Sequence, residues 1–268
     1  MERFKEIFKV KSPVIGMIHV DALPATPRYK NNFSEIIEKA LKEAEIYKKA
    51  GIDALAIENM HDIPYMKTNI GPEITSAMTV IGYQVKKTSN LVCGIQILAG
   101  ANKEAFAVAK ASNLDFVRAE GFVFSHVADE GIMESCAGEL LRYRKSIDAD
   151  NILVFTDIKK KHSSHAITSD VDICETAKAA EFFLSDGLII TGTSTGHEAS
   201  TNEIESVKNA VKLPVIVGSG VNLNNLESYF NISDAMIVGS YFKKNSYWAN
   251  DLDYDKVASF MEKVNKLR

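Results

Sequence analysis

The sequence has no apolar run approaching the roughly 18 residues needed to cross a bilayer. Its opening, MERFKEIFKVKSP, is charged and carries no signal-type apolar stretch. These two absences predict a cytoplasmic protein without a membrane span. Cysteine is scarce: Cys93, Cys136 and Cys174 stand far apart with no C-x-x-C spacing, which argues against a disulfide framework and fits a reducing compartment. Six prolines and fifteen glycines are too few for a disordered or fibrous chain. There is no surplus of positive charge either. Against 31 Lys and Arg stand 35 Asp and Glu, interspersed, for a net charge of -4. A broad basic face for a nucleic acid polymer is therefore not expected. The one basic run, Lys159, Lys160 and Lys161, reads either as a solvated loop or as part of a site.

What is present is an alternation. Over 268 residues, 46% of them hydrophobic, short apolar runs take turns with longer amphipathic ones. The runs at 14–20, 53–59, 91–97, 115–120, 152–158, 187–191, 214–219 and 234–240 predict eight strands. Between them the 3.6-residue period predicts helices. Ser34 is the expected cap of the first, with Ile36, Ala40, Ala44 and Tyr47 on one face and Gly51 at its end. Pro72 and Asn102 open the next two, and a fourth ends near Arg144. Others are expected at 172–184, from Ser200 with Glu203 as a capping box, near 224–230, and from Asp253 onward. Strands alternating with helices pair in parallel through right-handed crossovers, and eight units in this length favour one closed (β/α)8 TIM barrel spanning 1–268. The rival, an open doubly wound sheet, normally places G-x-G-x-x-G after its first strand, and none occurs there.

Barrel active sites lie at the C-terminal ends of the strands. Those ends carry His19 and Asp21, Glu58 and Asn59, Gln96, Arg118 and Glu120, Asp157, and Thr191. Any one of them alone reads equally as a cap or a structural hydrogen-bonding residue. Polar groups at six consecutive strand ends point to a ligand site. Glu58, Glu120, Asp157, His19, His162, Lys161 and Arg118 are the candidate catalytic residues, with carboxylates and histidines as acid and base and the cations as charge stabilisers. A desolvated lysine here would also serve as base or Schiff-base nucleophile. Gly218-Ser219-Gly220 and Gly239-Ser240 follow the seventh and eighth strands, where many barrels hold a phosphate. Gly192 and Thr193 follow the sixth and complete the expected anion loops. No cofactor is expected. A divalent metal is a lesser alternative, because His19-x-Asp21 replaces the H-x-H of metal hydrolases and the eighth strand ends without a carboxylate.

In order along the chain, these residues resemble the BtpA/SgcQ family of barrels, from near Ser12 to near Met261. The resemblance is carried by Gly16-Met17-Ile18-His19 and Leu23-Pro24, by Glu58-Asn59 with Asp62 and Pro64, and by Gly71-Pro72-Glu73. It continues through Gly94-Ile95-Gln96, Asp129-Glu130-Gly131, Asp157 with Lys161-His162, Val217-Gly218-Ser219-Gly220 and Val238-Gly239-Ser240. Two positions depart from the commoner pattern: Ala119-Glu120-Gly121 after Arg118, and Lys159 where a histidine often stands. The resemblance implies a barrel of the ribulose-phosphate-binding kind. Two functions stay open. One is an isomerase or lyase acting on a small phosphorylated sugar or nucleoside-like molecule. The other is a non-catalytic assembly factor like the photosystem I biogenesis member that gives the family a name, for which the apolar Phe122, Val123 and Phe124 would be the docking surface; a pocket lid or a subunit contact is the favoured reading of those three residues. A metal-dependent hydrolase is a further alternative, and a homo-oligomer is the expected assembly.

Overall fold

A computed structural model describes residues 1–192 and 196–268. The barrel strands are β1 (Val14–His19), β2 (Ala54–Glu58), β3 (Val92–Gln96), β4 (Phe116–Ala119), β7 (Leu153–Asp157), β9 (Gly187–Ile190), β10 (Val215–Val217) and β11 (Ala235–Val238). All neighbours pair in parallel, and β11 returns to β1 to close the ring. The strands are apolar because both of their faces are buried. Alternation then sorts their side chains. Val14, Ile18, Leu55 and Ile57 pack against the helices, whereas Ile15, Met17, Ala54, Ala56, Phe116, Leu153 and Phe155 fill the barrel interior.

The predicted helices form with small shifts. They are α2 (Phe33–Lys49), α3 (Pro72–Ser89), α4 (Asn102–Ala111), α5 (Ala137–Ser146), α6 (Ile173–Phe182), α7 (Thr201–Ala210), α8 (Leu226–Ile232) and α9 (Tyr254–Leu267). Ser200 caps α7 by accepting from Glu203 N, and Asp253 caps α9. Asn32, not Ser34, caps α2, accepting from Glu35 N. Asn102 lies inside the first turn of α4 because its amide is committed elsewhere: Nδ2 donates to the Glu120 carbonyl at 2.7 Å.

Two features lie beyond the eight units. A short helix, α1 (Glu2–Ile7), crosses the N-terminal end of the barrel and plugs it. Phe4 and Phe8 enter the interior cluster and pack against Phe116 and Phe155 with ring centroids 6.0–6.4 Å apart. At the opposite end, the segment read as a long loop after β4 is a hairpin of β5 (His126–Ala128) and β6 (Gly131–Met133), extended by β8 (Ser163–Ser164) into a small antiparallel sheet.

Candidate functional site

The same alternation that packs the interior decides which polar residues reach the mouth. His19 continues the inward series of Ile15 and Met17, Glu58 that of Ala54 and Ala56, and Arg118 that of Phe116. Asp157 follows Phe155, and Gly239 follows Ile237. All of these but Asp157 meet at a cavity of about 580 Å³. His19, Glu58, Arg118, Glu120, Lys161, His162, Gly218, Ser219, Gly220, Gly239 and Ser240 all line it.

The charged floor is partly self-neutralised. Arg118 clamps Asp157 with two bonds of 2.7 Å, Nε to Oδ2 and Nη2 to Oδ1. Their side chains are only 6% and 1% exposed. Burial opposes the Arg118 charge, but the Asp157 carboxylate outweighs it and the guanidinium is held firmly protonated. Asp157 does not line the main cavity, so its place is behind Arg118, fixing it. Glu120 pairs with Lys160 in a short contact and accepts from Gln96 Nε2 at 3.0 Å. Burial disfavours the Lys160 ammonium, yet the adjacent Glu120 raises its pKa overall.

Three groups are left poised. Glu58 is buried, and desolvation raises its pKa against the opposing pull of Arg118 and Lys161. Its Oε2 lies 3.6 Å from His19 Nε2. Burial, reinforced by Lys243, pushes His19 down to about 3. His19 is thus neutral near pH 7. Its Nδ1 stands 3.0 Å from the Trp248 carbonyl, which only accepts, so Nδ1 carries the proton and Nε2 is the acceptor facing Glu58. Lys161 is held through its backbone N–H to Thr191 Oγ1 at 3.2 Å, and its ammonium makes no hydrogen bond or ion pair with the described residues. Desolvation, then the nearby Arg118, lowers its pKa. Partial burial and Lys161 lower His162 as well.

The opposite wall is built from the glycine loops. Gly218 N donates to the Ile190 carbonyl, and Ser219 Oγ links two segments, accepting from Gly192 N at 2.7 Å and donating to the His197 carbonyl at 3.1 Å. A Cβ on Gly218 would sit 2.4 Å from Ile189 Cγ2. Gly220 has φ +72°, and a Cβ there would fall 2.3 Å from the His197 carbonyl oxygen. Glycine is therefore demanded at both positions by the protein's own packing. What the loops leave over is a set of donors. The N–H groups of Ser219, Gly220, Ser240 and Tyr241 have no acceptor among the described residues. Gly192 itself does not line the cavity, and its N–H is spent on Ser219. Thr193 lies outside the described residues.

Several contributors escape a sequence reading. Lys160 carries the ion pair with Glu120 and lines the cavity. Met60, Tyr65, Leu98 and Trp248 form an apolar flank. Trp248 comes from a turn after β11 that no periodicity marks. Asp129 and Glu130, at the tip of the β5–β6 hairpin, also reach the cavity, so the hairpin is part of its wall. Phe122, read as part of a lid, a subunit contact or a docking surface, is 1% exposed and belongs to the core. Among the described residues, no three His, Cys, Asp or Glu side chains are grouped to hold a metal ion. No described helix is long and apolar enough to cross a membrane.

Comparison with known proteins agrees with this architecture. A mitochondrial protein of Caenorhabditis elegans is 50% identical over 260 residues, covering 95% of this chain and 94% of that one. The photosystem I biogenesis protein BtpA of Synechocystis is 31% identical over 96% of this chain and 89% of its own. Among solved structures, (S)-3-O-geranylgeranylglyceryl phosphate synthase from Thermoplasma acidophilum, in complex with sn-glycerol-1-phosphate, superimposes with a TM-score of 0.61 at 14% identity, over 99% and 98% of the two chains. Orotidine 5'-monophosphate decarboxylase from Methanocaldococcus jannaschii gives 0.60 at 18% identity, over 96% and 100%. At such identities these two show the fold alone. The BtpA family model matches residues 10–266, and the chain belongs to the BtpA family.

Proposed function

We propose that this BtpA-family barrel is an enzyme that isomerises or cleaves a small phosphorylated molecule. One observation carries the reading. A single cavity has on one wall backbone N–H groups of the loops after β10 and β11 that find no acceptor among the described residues, and Glu58, His19, Arg118 and Lys161 on another. Unpaired N–H donors at a loop suit a phosphate, and the ionisable wall suits proton transfer at a carbon several ångströms from it. The solved neighbours lend support: one holds sn-glycerol-1-phosphate, and the other is a decarboxylase of orotidine 5'-monophosphate. In this reading the phosphate anchors the molecule, Arg118 stabilises charge that develops on an oxygen, and Glu58 moves the proton.

The test is thermal denaturation with inorganic phosphate, sulfate, sn-glycerol-1-phosphate and ribulose 5-phosphate, followed by proton exchange of the bound compounds in deuterium oxide. A ligand at a hundred times its dissociation constant adds about 2.7 kcal/mol. That is expected as a rise of several degrees with a phosphorylated compound, less with phosphate alone, followed by deuterium uptake at carbon that Glu58→Gln abolishes. No stabilisation by any phosphorylated compound would overturn the reading.

A further inference from the structure

Four cationic side chains lie in or beside the cavity floor, and three are spoken for. Arg118 is locked to Asp157, and Lys160 to Glu120. Lys243, next to His19 in the charge field, is buried against Glu43 with Nζ 2.6 and 2.7 Å from the two carboxylate oxygens. Lys161 is the fourth. It lines the cavity, and its amine makes no hydrogen bond or ion pair among the described residues. The loop holds it in place from behind, through its own N–H and Thr191. A lysine placed only to neutralise a phosphate would be expected beside the glycine loops. The charges that Lys161 senses most are instead Arg118, Glu58, Asp157 and Glu120, the reacting end of the cavity.

The geometry points to Lys161 as a covalent catalyst that forms a Schiff base, and to a phosphorylated aldehyde or ketone as the substrate class. This deepens the phosphate-anchored reading and rests on it for the phosphate. The chemistry closes on groups already present. The Lys161 amine attacks the carbonyl carbon, the π pair moves to oxygen, and a proton passes from nitrogen to that oxygen to give a carbinolamine. Glu58, in the protonated fraction that burial enlarges, gives its proton to the hydroxyl, which leaves as water. The products are an iminium on Lys161 and the Glu58 carboxylate. The iminium then accepts electrons either from a neighbouring C–H bond, whose proton the Glu58 carboxylate takes, or from a C–C bond whose far carbon bears a hydroxyl, that fragment leaving as an aldehyde as the hydroxyl proton passes to Glu58. No metal is needed to polarise the carbonyl. The same burial that lowers the Lys161 pKa enlarges the neutral, nucleophilic fraction of the amine near pH 7, and a raised Glu58 pKa keeps its proton available.

The experiment uses two probes, glyceraldehyde and glyceraldehyde 3-phosphate, each at low molar excess with cyanoborohydride at pH 7, followed by peptide mapping. The expected result is a secondary amine at Lys161 at least about tenfold over any surface lysine, faster with the phosphorylated probe, slowed by inorganic phosphate, and absent in Lys161→Arg. Circular dichroism and melting of Lys161→Arg control for folding. Equal labelling of Lys161 by both probes, untouched by phosphate, would keep the nucleophile and remove the phosphate anchor. Labelling spread evenly over surface lysines, while phosphorylated compounds still stabilise the fold, would overturn the nucleophile and leave the anchor standing.

Discussion

Glu58 shows how one residue's environment sets its use. Its carboxyl sits at the inward position of β2, and burial raises its pKa. A carboxyl with a folded pKa above its unfolded value favours the fold fully at pH below the unfolded value. That contribution is lost as pH rises through the folded one. Near neutrality the charged form is therefore a burden on the native state. Glu58→Gln is expected to raise the melting temperature at pH 7 and above, with the gain shrinking towards the ordinary carboxylate range near pH 4.5, as melting curves across that span would record. The same variant is expected to lose turnover, so stability and activity move in opposite directions. His19 behaves differently. Its pKa falls from 6.5 to about 3 on folding, so below pH 6.5 the unfolded chain gains a proton that the fold does not, and His19 lowers stability as pH falls towards 4.5.

Elements place these residues and also constrain them. Arg118 on β4 and Asp157 at the end of β7 join adjacent strands, paired Arg118 to Phe155 in register. Breaking a buried pair leaves an uncompensated charge and costs about 3–5 kcal/mol. Asp157→Asn is accordingly expected to lower denaturant stability by that order as well as activity, and equal stability to the parent would contradict the clamp. The loop after β10 is a second case. Gly220→Ala must adopt a positive φ with the His197 carbonyl 2.3 Å from the new Cβ. Calorimetry should show destabilisation greater than about 1 kcal/mol, together with weaker phosphate binding as the N–H groups shift.

At the scale of the whole molecule, the barrel separates stability from chemistry. Its N-terminal end is sealed by α1, where Phe8 stacks at 6.4 Å on Phe155 and tilts against Phe116 at 6.1 Å. The open end keeps the cavity. Phe8→Ala removes a buried ring and is expected to cost about 3–5 kcal/mol. Once folded, the variant should bind phosphorylated compounds as the parent does, because the ring packs on Phe116 and Phe155, which do not line the cavity. A loss of binding in fully folded Phe8→Ala protein would mean that the two ends are coupled.

By itself the sequence determined the repeat. Eight apolar runs of strand length, each followed by a 3.6-residue pattern, leave a closed parallel barrel as the arrangement that buries all of them, and the polar strand ends mark its mouth. Which of those ends face inward followed only once the interior residues of each strand were known. Local signals failed where a tertiary partner competes for a side chain: Asn102 reads as a cap but serves the Glu120 carbonyl, and Phe122 reads as surface but is core. The plug helix α1 and the β5–β6 hairpin are too short for periodicity to reveal. Only the tertiary structure decided which charges cancel. Lys159, Lys160 and Lys161 are one run in the sequence, yet Lys159 bonds the Thr168 carbonyl, Lys160 bonds Glu120, and Lys161 lines the cavity with an amine that has no partner among the described residues. That division depends on distances to groups up to 40 residues away. No local pattern encodes those distances, because they arise from the closure of the ring.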